Sequence, residues 1–215
     1  MIIPFKKPKN SLSASFIIDR IHVIFPIFFL SILLCILFID KPAAQFLSHI
    51  PYSLFESLSF FLKLFTPMLW TLVLPFAFFY LRFFLRKDRK SRKIWYLSLA
   101  LPITLLICFA LQRIIGKASP EWFFSHQDVP FRFFETNALF HSFPSAHSSV
   151  IACLGVGFAA LYPKKGLLLI IISAFLSLLP AVISYSFFSD ALAGLFTGAL
   201  TAQFVYKKFR RDQTI

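Results

Sequence analysis

The tetrapeptide Pro144-Ser145-Ala146-His147 opens a long apolar stretch, and the rest of the chain is best understood from it. Residues 136–163 contain no Lys, Arg, Asp or Glu. Ionisable side chains such as His147 are rare inside lipid and are usually functional there. A Pro-Ser pair before an apolar run is also typical of a helix start, whose free N–H groups bind anions. The tetrapeptide therefore predicts an anion site beside a titratable histidine at a membrane surface.

The composition places most of the chain in lipid. Of its 215 residues, 58% are hydrophobic and only 14% are charged, more apolar surface than a soluble domain of this length can bury. The net charge of +13 does not indicate nucleic acid, because the basic residues cluster in short tails and loops beside apolar runs. Cys35, Cys108 and Cys153 lie inside such runs and are expected to be small buried hydrophobes.

Uncharged runs predict an all-α fold, a polytopic membrane bundle with six transmembrane helices. The runs cover residues 21–39, 64–81, 94–112, 136–163, 166–189 and 191–206. Each is near the ~20 residues that cross a bilayer. The first is too long for a signal-peptide core and is interpreted as an uncleaved span. A helix lying in the membrane interface is expected within residues 42–63. Gly194 and Gly198 predict a close helix contact in the last run.

The distribution of Lys and Arg predicts the orientation. They concentrate in the tails, residues 1–20 and 207–215, and in the loops after the second and fourth runs. The remaining ones are Lys41, Lys63, Arg113, Lys117 and Arg132. The positive-inside rule then makes both tails cytoplasmic. One membrane domain at residues 21–206 follows, with a motif loop at residues 113–147 that faces a periplasm or the exterior.

Three segments are expected to meet at this outward face. They are Gln112–Pro120, His141–His147 and Ser186–Asp190, at the ends of four predicted spans. Together they offer cations, hydroxyls, two histidines and one carboxylate. Cations and helix-start N–H groups can hold phosphate oxygens while a histidine transfers a proton.

These segments resemble the type 2 phosphatidic acid phosphatases, which share a fold with vanadium haloperoxidases. The family pattern is K-x-x-x-x-x-x-R-P, then P-S-G-H, then S-R-x-x-x-x-x-H-x-x-x-D. Bacterial members have six spans and outward motifs, and they remove phosphate from lipid phosphates and pyrophosphates, usually without a metal. The resemblance implies an integral protein of a bacterial inner membrane that acts on isoprenoid or glycerolipid phosphates. It implies no cofactor, no metal and no nucleic-acid partner.

The middle motif matches well. Pro144, Ser145 and His147 align with the family pattern, and Ala146 replaces the glycine. The resemblance implies that His147 is the general acid that protonates the leaving group. It also implies that the Ser145 hydroxyl and nearby amides bind phosphate.

The first motif matches only at Pro120. Gln112 stands at the lysine position and Ser119 at the arginine position. Arg113 and Lys117 are near enough to substitute for these cations, although they are out of register. Arg113, Lys117 and Ser119 are therefore candidate phosphate-binding residues.

The third motif keeps its aspartate but has lost its nucleophile. Asp190 aligns, whereas Ser186 stands at the nucleophilic histidine position and Pro180 at the arginine position. The family reaction passes through a phosphohistidine that the aspartate orients. His147 and Asp190 are thus the candidate catalytic residues of an incomplete set.

Each candidate also has a simpler structural explanation. Asp190 suits a capping and dipole role at the start of the last helix. Arg113 and Lys117 could extend toward lipid head groups. His126 and His141 are interpreted as loop residues, a relocated histidine nucleophile being less favoured. Ser186 as a nucleophile would need an activating base beside it.

Two functions remain open. One is a membrane lipid phosphatase at the outer leaflet, impaired because Ser186 replaces the nucleophile. The other is a catalytically inactive pseudophosphatase that binds lipid phosphate or a membrane partner. A small transporter is disfavoured, since the centres of the spans lack paired charges.

Overall fold

The computed structural model describes residues 25–49 and 89–211, and within them side chains at 25–49 and 96–208. This part of the chain is helical, and its β structure is a single bridge between Lys117 and Phe131. The helices are α1 Phe25–Leu34, a π-helical segment Cys35–Ile39, α2 Asp40–Ser48, α3 Arg89–Ile115, α4 Pro120–His126, α5 Ala146–Leu161, α6 Gly166–Val182 and α7 Phe188–Arg211. The prediction of an all-α fold is confirmed.

Three helical stretches of the described residues are long and apolar enough to cross a membrane. They are Phe25–Ser48, Tyr96–Ile115 and Pro163–Val182. The apolar helix α5 is shorter, at 16 residues, and α7 has 24. The predicted run 64–81 lies outside the described residues, so the count of six spans stays a prediction.

The first membrane helix is longer than predicted. Helix α1, the π-helical segment and α2 follow one another without a break from Phe25 to Ser48. The sequence suggested an end near Ile39 because Asp40 and Lys41 are charged. Asp40 is instead only 2% exposed and ion-paired, so its charge does not end the helix. Residues 42–48 therefore extend the first helix, and residues 50–63 of the expected interfacial helix lie outside the described part.

The helix of the fifth run ends earlier than predicted, whereas the helix of the fourth run begins at the Pro-Ser pair, as expected. Helix α6 stops at Val182 rather than near 189, because the N–H groups of Tyr185 and Ser186 turn back to the Pro180 carbonyl at 2.9 and 3.0 Å. Helix α5 begins at Ala146, and the Ser145 hydroxyl caps it by accepting from the Ser148 N–H at 3.5 Å. The Pro-Ser pair is therefore a helix start, as the sequence indicated.

Helices α3, α5 and α7 share the largest buried core of the described region, where the predicted glycine face is the contact between α5 and α7. A Cβ at Gly194 would lie 2.4 Å from the Ser145 carbonyl oxygen, and one at Gly198 would lie 2.0 Å from that of Ser149. Only glycine allows backbones to approach so closely. This contact holds the start of α7 against the start of α5.

Replacing Gly198 by alanine should therefore separate these two helices. We expect Gly198→Ala to lower the free energy of unfolding by about 1–3 kcal/mol, because the new methyl group meets backbone atoms that cannot move aside. Thermal unfolding in detergent measures the change. Gly157→Ala is the matched control, since its Cβ would meet the flexible end of the Leu97 side chain. Equal losses in both variants would contradict the close backbone contact.

Candidate active site

The three segments that were predicted to face outward lie together in the structure. The Ser145 N–H donates to the Asp190 carbonyl at 2.9 Å and joins the start of α5 to the start of α7. The Gln112 side chain donates to the Pro144 carbonyl at 2.9 Å and adds the end of α3. The Ser142 N–H donates to the Lys117 carbonyl at 3.3 Å. Hydrogen bonds between backbone and side chains thus assemble the site from residues far apart in sequence.

Lys117 occupies the centre of the site and is completely buried. Its ammonium donates to Asp40 Oδ2 at 2.6 Å, to Ser189 Oγ at 2.6 Å and to Asp190 Oδ1 at 2.8 Å. The ring of Phe187 lies 4.5 Å from Nζ. A lysine ammonium has three N–H donors, and all three are engaged. Lys117 in this arrangement has no donor left for a phosphate oxygen.

Asp190 is held through both of its carboxylate oxygens. Oδ1 accepts from Lys117, and Oδ2 accepts from the Ser142 hydroxyl and from the Phe187 N–H, the latter at 3.0 Å. The bond to Phe187 is a capping interaction at the start of α7, as the sequence suggested. The bonds to Lys117 and Ser142 are not capping interactions, because they join Asp190 to other segments of the chain. The partners of this carboxylate include Lys117, the hydroxyl groups of Ser142 and Ser189, and the Phe187 N–H.

Asp40 is the functional residue that sequence reasoning missed. Its Oδ1 accepts from the Ser189 N–H at 3.0 Å, and its Oδ2 accepts from the Ser189 hydroxyl at 2.6 Å as well as from Lys117. It therefore ties the first membrane helix to the last one. The available signal was an acidic residue at the end of an apolar run, because such residues are rare near lipid and usually paired.

We call Asp40, Lys117, Ser142, Ser189 and Asp190 the ion cluster. With both carboxylates ionised, two negative charges share one positive charge among almost completely buried side chains. Burial of charge is costly unless hydrogen bonds compensate, and here hydroxyl and backbone N–H donors supply them. The Lys117 ammonium is thus engaged within the cluster, which disfavours a phosphate anion at this lysine.

Ser186 shares a small cavity with Asp40 of the ion cluster, and His147 contacts the neighbouring Tyr185. His147 is 7% exposed, and its ring meets the Tyr185 ring edge-on with the centroids 5.1 Å apart. The buried Ser186 hydroxyl has no hydrogen-bond partner within the described part of the chain. It borders a cavity of about 10 Å³, the size of roughly one water molecule. The cavity is lined by Asp40, Ala44, Leu47, Pro120, Ala181, Ser184, Ser186, Phe187 and Phe188.

The other candidates have separate positions. Arg113 is exposed in the last turn of α3, and Ser119 caps α4 by accepting from the Trp122 N–H at 3.4 Å. His141 Nε2 is bonded to the Glu135 carbonyl at 2.9 Å, and His126 stacks on Trp122. These contacts suit ordinary loop roles for both histidines. No group of three His, Cys, Asp or Glu side chains able to hold a metal ion occurs within the described ranges.

Fold and site together define a helical integral membrane protein with a buried polar site at the ends of its helices. Residues 93–213 match the model of the PAP2 superfamily. The chain belongs to the PAP2 superfamily, as its motifs indicated.

Two curated relatives are lipid phosphatases by name. The chain is 31% identical over 104 residues to a Lipid A 1-phosphatase of Rhizobium johnstonii, which covers 48% of this chain and 43% of that protein. It is 31% identical over 103 residues to a Lipid A 1-phosphatase of Rhizobium etli, covering 48% of this chain and 44% of that protein. The match thus spans less than half the length of either relative. No solved structure matches the chain significantly.

Removal of the cation should be the most damaging change to the ion cluster. Lys117→Met leaves two buried carboxylates without a counter-charge, and we expect it to lower the free energy of unfolding by about 3–5 kcal/mol. Asp40→Asn should cost less, because it leaves the pair between Lys117 and Asp190 intact. The double variant Lys117→Met/Asp40→Asn should be more stable than Lys117→Met alone. Denaturation of all three variants in detergent measures these differences.

The matched control is Lys41→Met, at an exposed lysine next to Asp40. A surface substitution of this kind changes stability by less than about 0.5 kcal/mol. Equal stability of Lys117→Met and Lys41→Met would show that the buried ion pairs do not hold the helices together.

Proposed function

We propose that this protein is a lipid-phosphate-handling member of the PAP2 superfamily in which hydrolysis through a phosphohistidine is impaired. The observation that carries the proposal is the arrangement around Asp190. Its carboxylate is held by Lys117 and Ser142, and a buried serine stands at position 186. The family match and the lipid phosphatases among the relatives support a lipid phosphate as the ligand.

The proton-donating half of the reaction is present. His147 lies in the first turn of α5, where it can pass a proton to the oxygen of a leaving group while the helix start favours a nearby anion. The capping hydroxyl of Ser145 lies at the same helix start. These residues support the proposed roles of His147 as the acid and Ser145 as a phosphate-binding residue.

The geometry does not support the nucleophilic half of the reaction. A serine becomes a nucleophile when a neighbouring base accepts its proton. The Ser186 hydroxyl has no hydrogen-bond partner in the described region, so no base is in place there. His147 cannot serve as base and acid for the same step. Attack by Ser186 is therefore disfavoured, and direct attack by water would need another base.

The second candidate function is a pseudophosphatase that binds lipid phosphate or a membrane partner without turnover. The saturation of the Lys117 ammonium by Asp40, Ser189 and Asp190 favours it, because this candidate phosphate-binding cation is here used internally. Arg113 is exposed at the same end of α3 and can still contact a phosphate.

The expected ligand is an isoprenoid or glycerolipid phosphate at the outward face of a bacterial inner membrane. This orientation, with both tails cytoplasmic, rests on the charge distribution of the sequence. Lys41, Arg113, Lys117 and Arg132 are the described examples of the sparse basic residues on the proposed outward side.

Phosphate release by the full chain in lipid nanodiscs tests the proposal. The panel consists of isoprenoid and glycerolipid phosphates, their pyrophosphates and a lipid A phosphate. We expect release no faster than from the His147→Ala variant, together with measurable binding of at least one of these lipids. Ser186→His alone should not restore turnover, because Asp190 remains engaged by Lys117 and Ser142.

The outcomes separate the alternatives. Turnover that disappears in His147→Ala would contradict impaired hydrolysis and would support an active phosphatase. Binding without turnover would favour the pseudophosphatase. Neither binding nor turnover across the panel would contradict a lipid-phosphate ligand.

A further inference from the structure

A turn in the loop between α4 and α5 exposes three phenylalanines. Phe131 is 41% exposed, Phe133 69% and Phe134 74%. They lie outside the helices, whose exposed apolar residues face lipid in a membrane protein. We call residues 131–135 the aromatic turn.

The aromatic turn is fixed to the end of a membrane helix. The apolar part of α3, Tyr96–Ile115, has 20 residues, which span roughly 30 Å and thus the hydrocarbon thickness. Ile115 therefore lies near a membrane surface. The next residue, Gly116, accepts the Arg132 N–H at 2.7 Å, and the Ala118 N–H donates to the Pro130 carbonyl at 3.0 Å.

The attachment at Gly116 is a close one. Gly116 has φ +58, and a Cβ there would lie 1.7 Å from the Arg132 carbonyl oxygen. Phe134 follows Arg132 by two residues, and an extended chain covers at most ~3.6 Å per residue. The exposed rings are thus anchored within roughly 7 Å of backbone that is bonded to the helix end.

The turn holds a large aromatic residue, Phe134, in a backbone conformation that is unfavourable for it. The Glu135 N–H donates to the Arg132 carbonyl at 3.3 Å and closes the turn, and Phe134 has φ 59. This left-handed conformation suits glycine or asparagine, and a bulky residue there is uncommon. A phenylalanine at this position is accounted for if its ring gains burial outside the protein.

The polar groups of the turn suit a membrane surface. The Arg132 guanidinium lies over the rings of Phe140 and Trp122, at 4.6 and 5.3 Å from their centroids. Glu135 is half-buried, and the N–H groups of Asn137 and Thr136 lower the pKa of its carboxyl group. Aromatic rings beside a charged group that stays hydrated are typical of the interface between head groups and acyl chains.

We infer that the aromatic turn inserts Phe133 and Phe134 into the lipid leaflet that surrounds the end of α3. The bilayer is the occupant that these observations favour, because the turn is hydrogen-bonded next to the end of an apolar helix of membrane-spanning length. The bridge between Phe131 and Lys117 connects the turn to the ion cluster. Insertion would therefore set the depth of the site relative to the lipid head groups.

A fluorescent label on the turn tests this inference. Phe133→Cys is labelled with an environment-sensitive dye on the full chain, in nanodiscs of phosphatidylcholine and phosphatidylglycerol that hold one copy each. The three native cysteines are buried, and the labelled wild type gives the background. We expect strong quenching by nitroxides on the lipid chains and at least twofold less quenching by aqueous iodide than at the control position.

The control is Ser125→Cys, an exposed polar position on α4 of the same loop. Equal iodide quenching at the two positions, without quenching by lipid nitroxides at Phe133, would overturn the inference. Shielding of Phe133 only when two copies share a nanodisc would also overturn it and would indicate a protein contact. The label at Phe133→Cys is also measured in a chain that carries Phe134→Asn, because asparagine suits the left-handed backbone at position 134. Shielding that is retained in this double variant would show that the effect does not depend on a distorted turn.

Discussion

The buried ammonium of Lys117 between Asp40 and Asp190 is the interaction on which the described structure depends. It joins the first membrane helix, the loop after α3 and the start of α7 at one point. Charges are costly to bury, and the Lys117 ammonium offsets the cost of burying both carboxylates. The hydroxyl groups of Ser142 and Ser189 complete the hydrogen bonding. Helix packing and site geometry are therefore coupled, because the glycine contact between α5 and α7 brings Asp190 to the place where Lys117 can reach it.

The same interaction changes the chemistry available at the site. In the family pattern, cations hold phosphate and an aspartate orients a nucleophilic histidine. Here a cation and the aspartate hold each other, and a second carboxylate from the first helix neutralises the lysine. The fold and the helix-start histidine are kept, whereas the polar groups that remain around Asp190 form a stable internal network. Binding of a lipid phosphate is compatible with His147, Ser145 and the exposed Arg113, but a phosphohistidine at position 186 is not available.

The loop that carries Lys117 also holds the aromatic turn at the membrane. Its backbone pairs with the aromatic turn, whose exposed rings lie close to the end of α3. The site therefore has a polar side, closed by the ion cluster, and a neighbouring apolar surface that suits contact with lipid. A protein that meets a ligand embedded in a leaflet needs both, since the phosphate and the acyl chains of such a ligand occupy different environments.

The sequence by itself determined the helical membrane fold, the helix start at Ser145 and the family, because apolar runs, capping residues and the Pro-Ser-Ala-His motif are local patterns. It also identified the glycine face and a serine at position 186, where the family pattern has a histidine. Only the tertiary structure revealed that Asp40 shares Lys117 with Asp190, since these residues are separated by 77 and 73 positions and meet through helix packing. The sequence predicted that Lys117 lies near the phosphate-binding motifs. Whether its ammonium binds phosphate or an internal carboxylate depends on which partner lies within hydrogen-bond distance, and folding decides that.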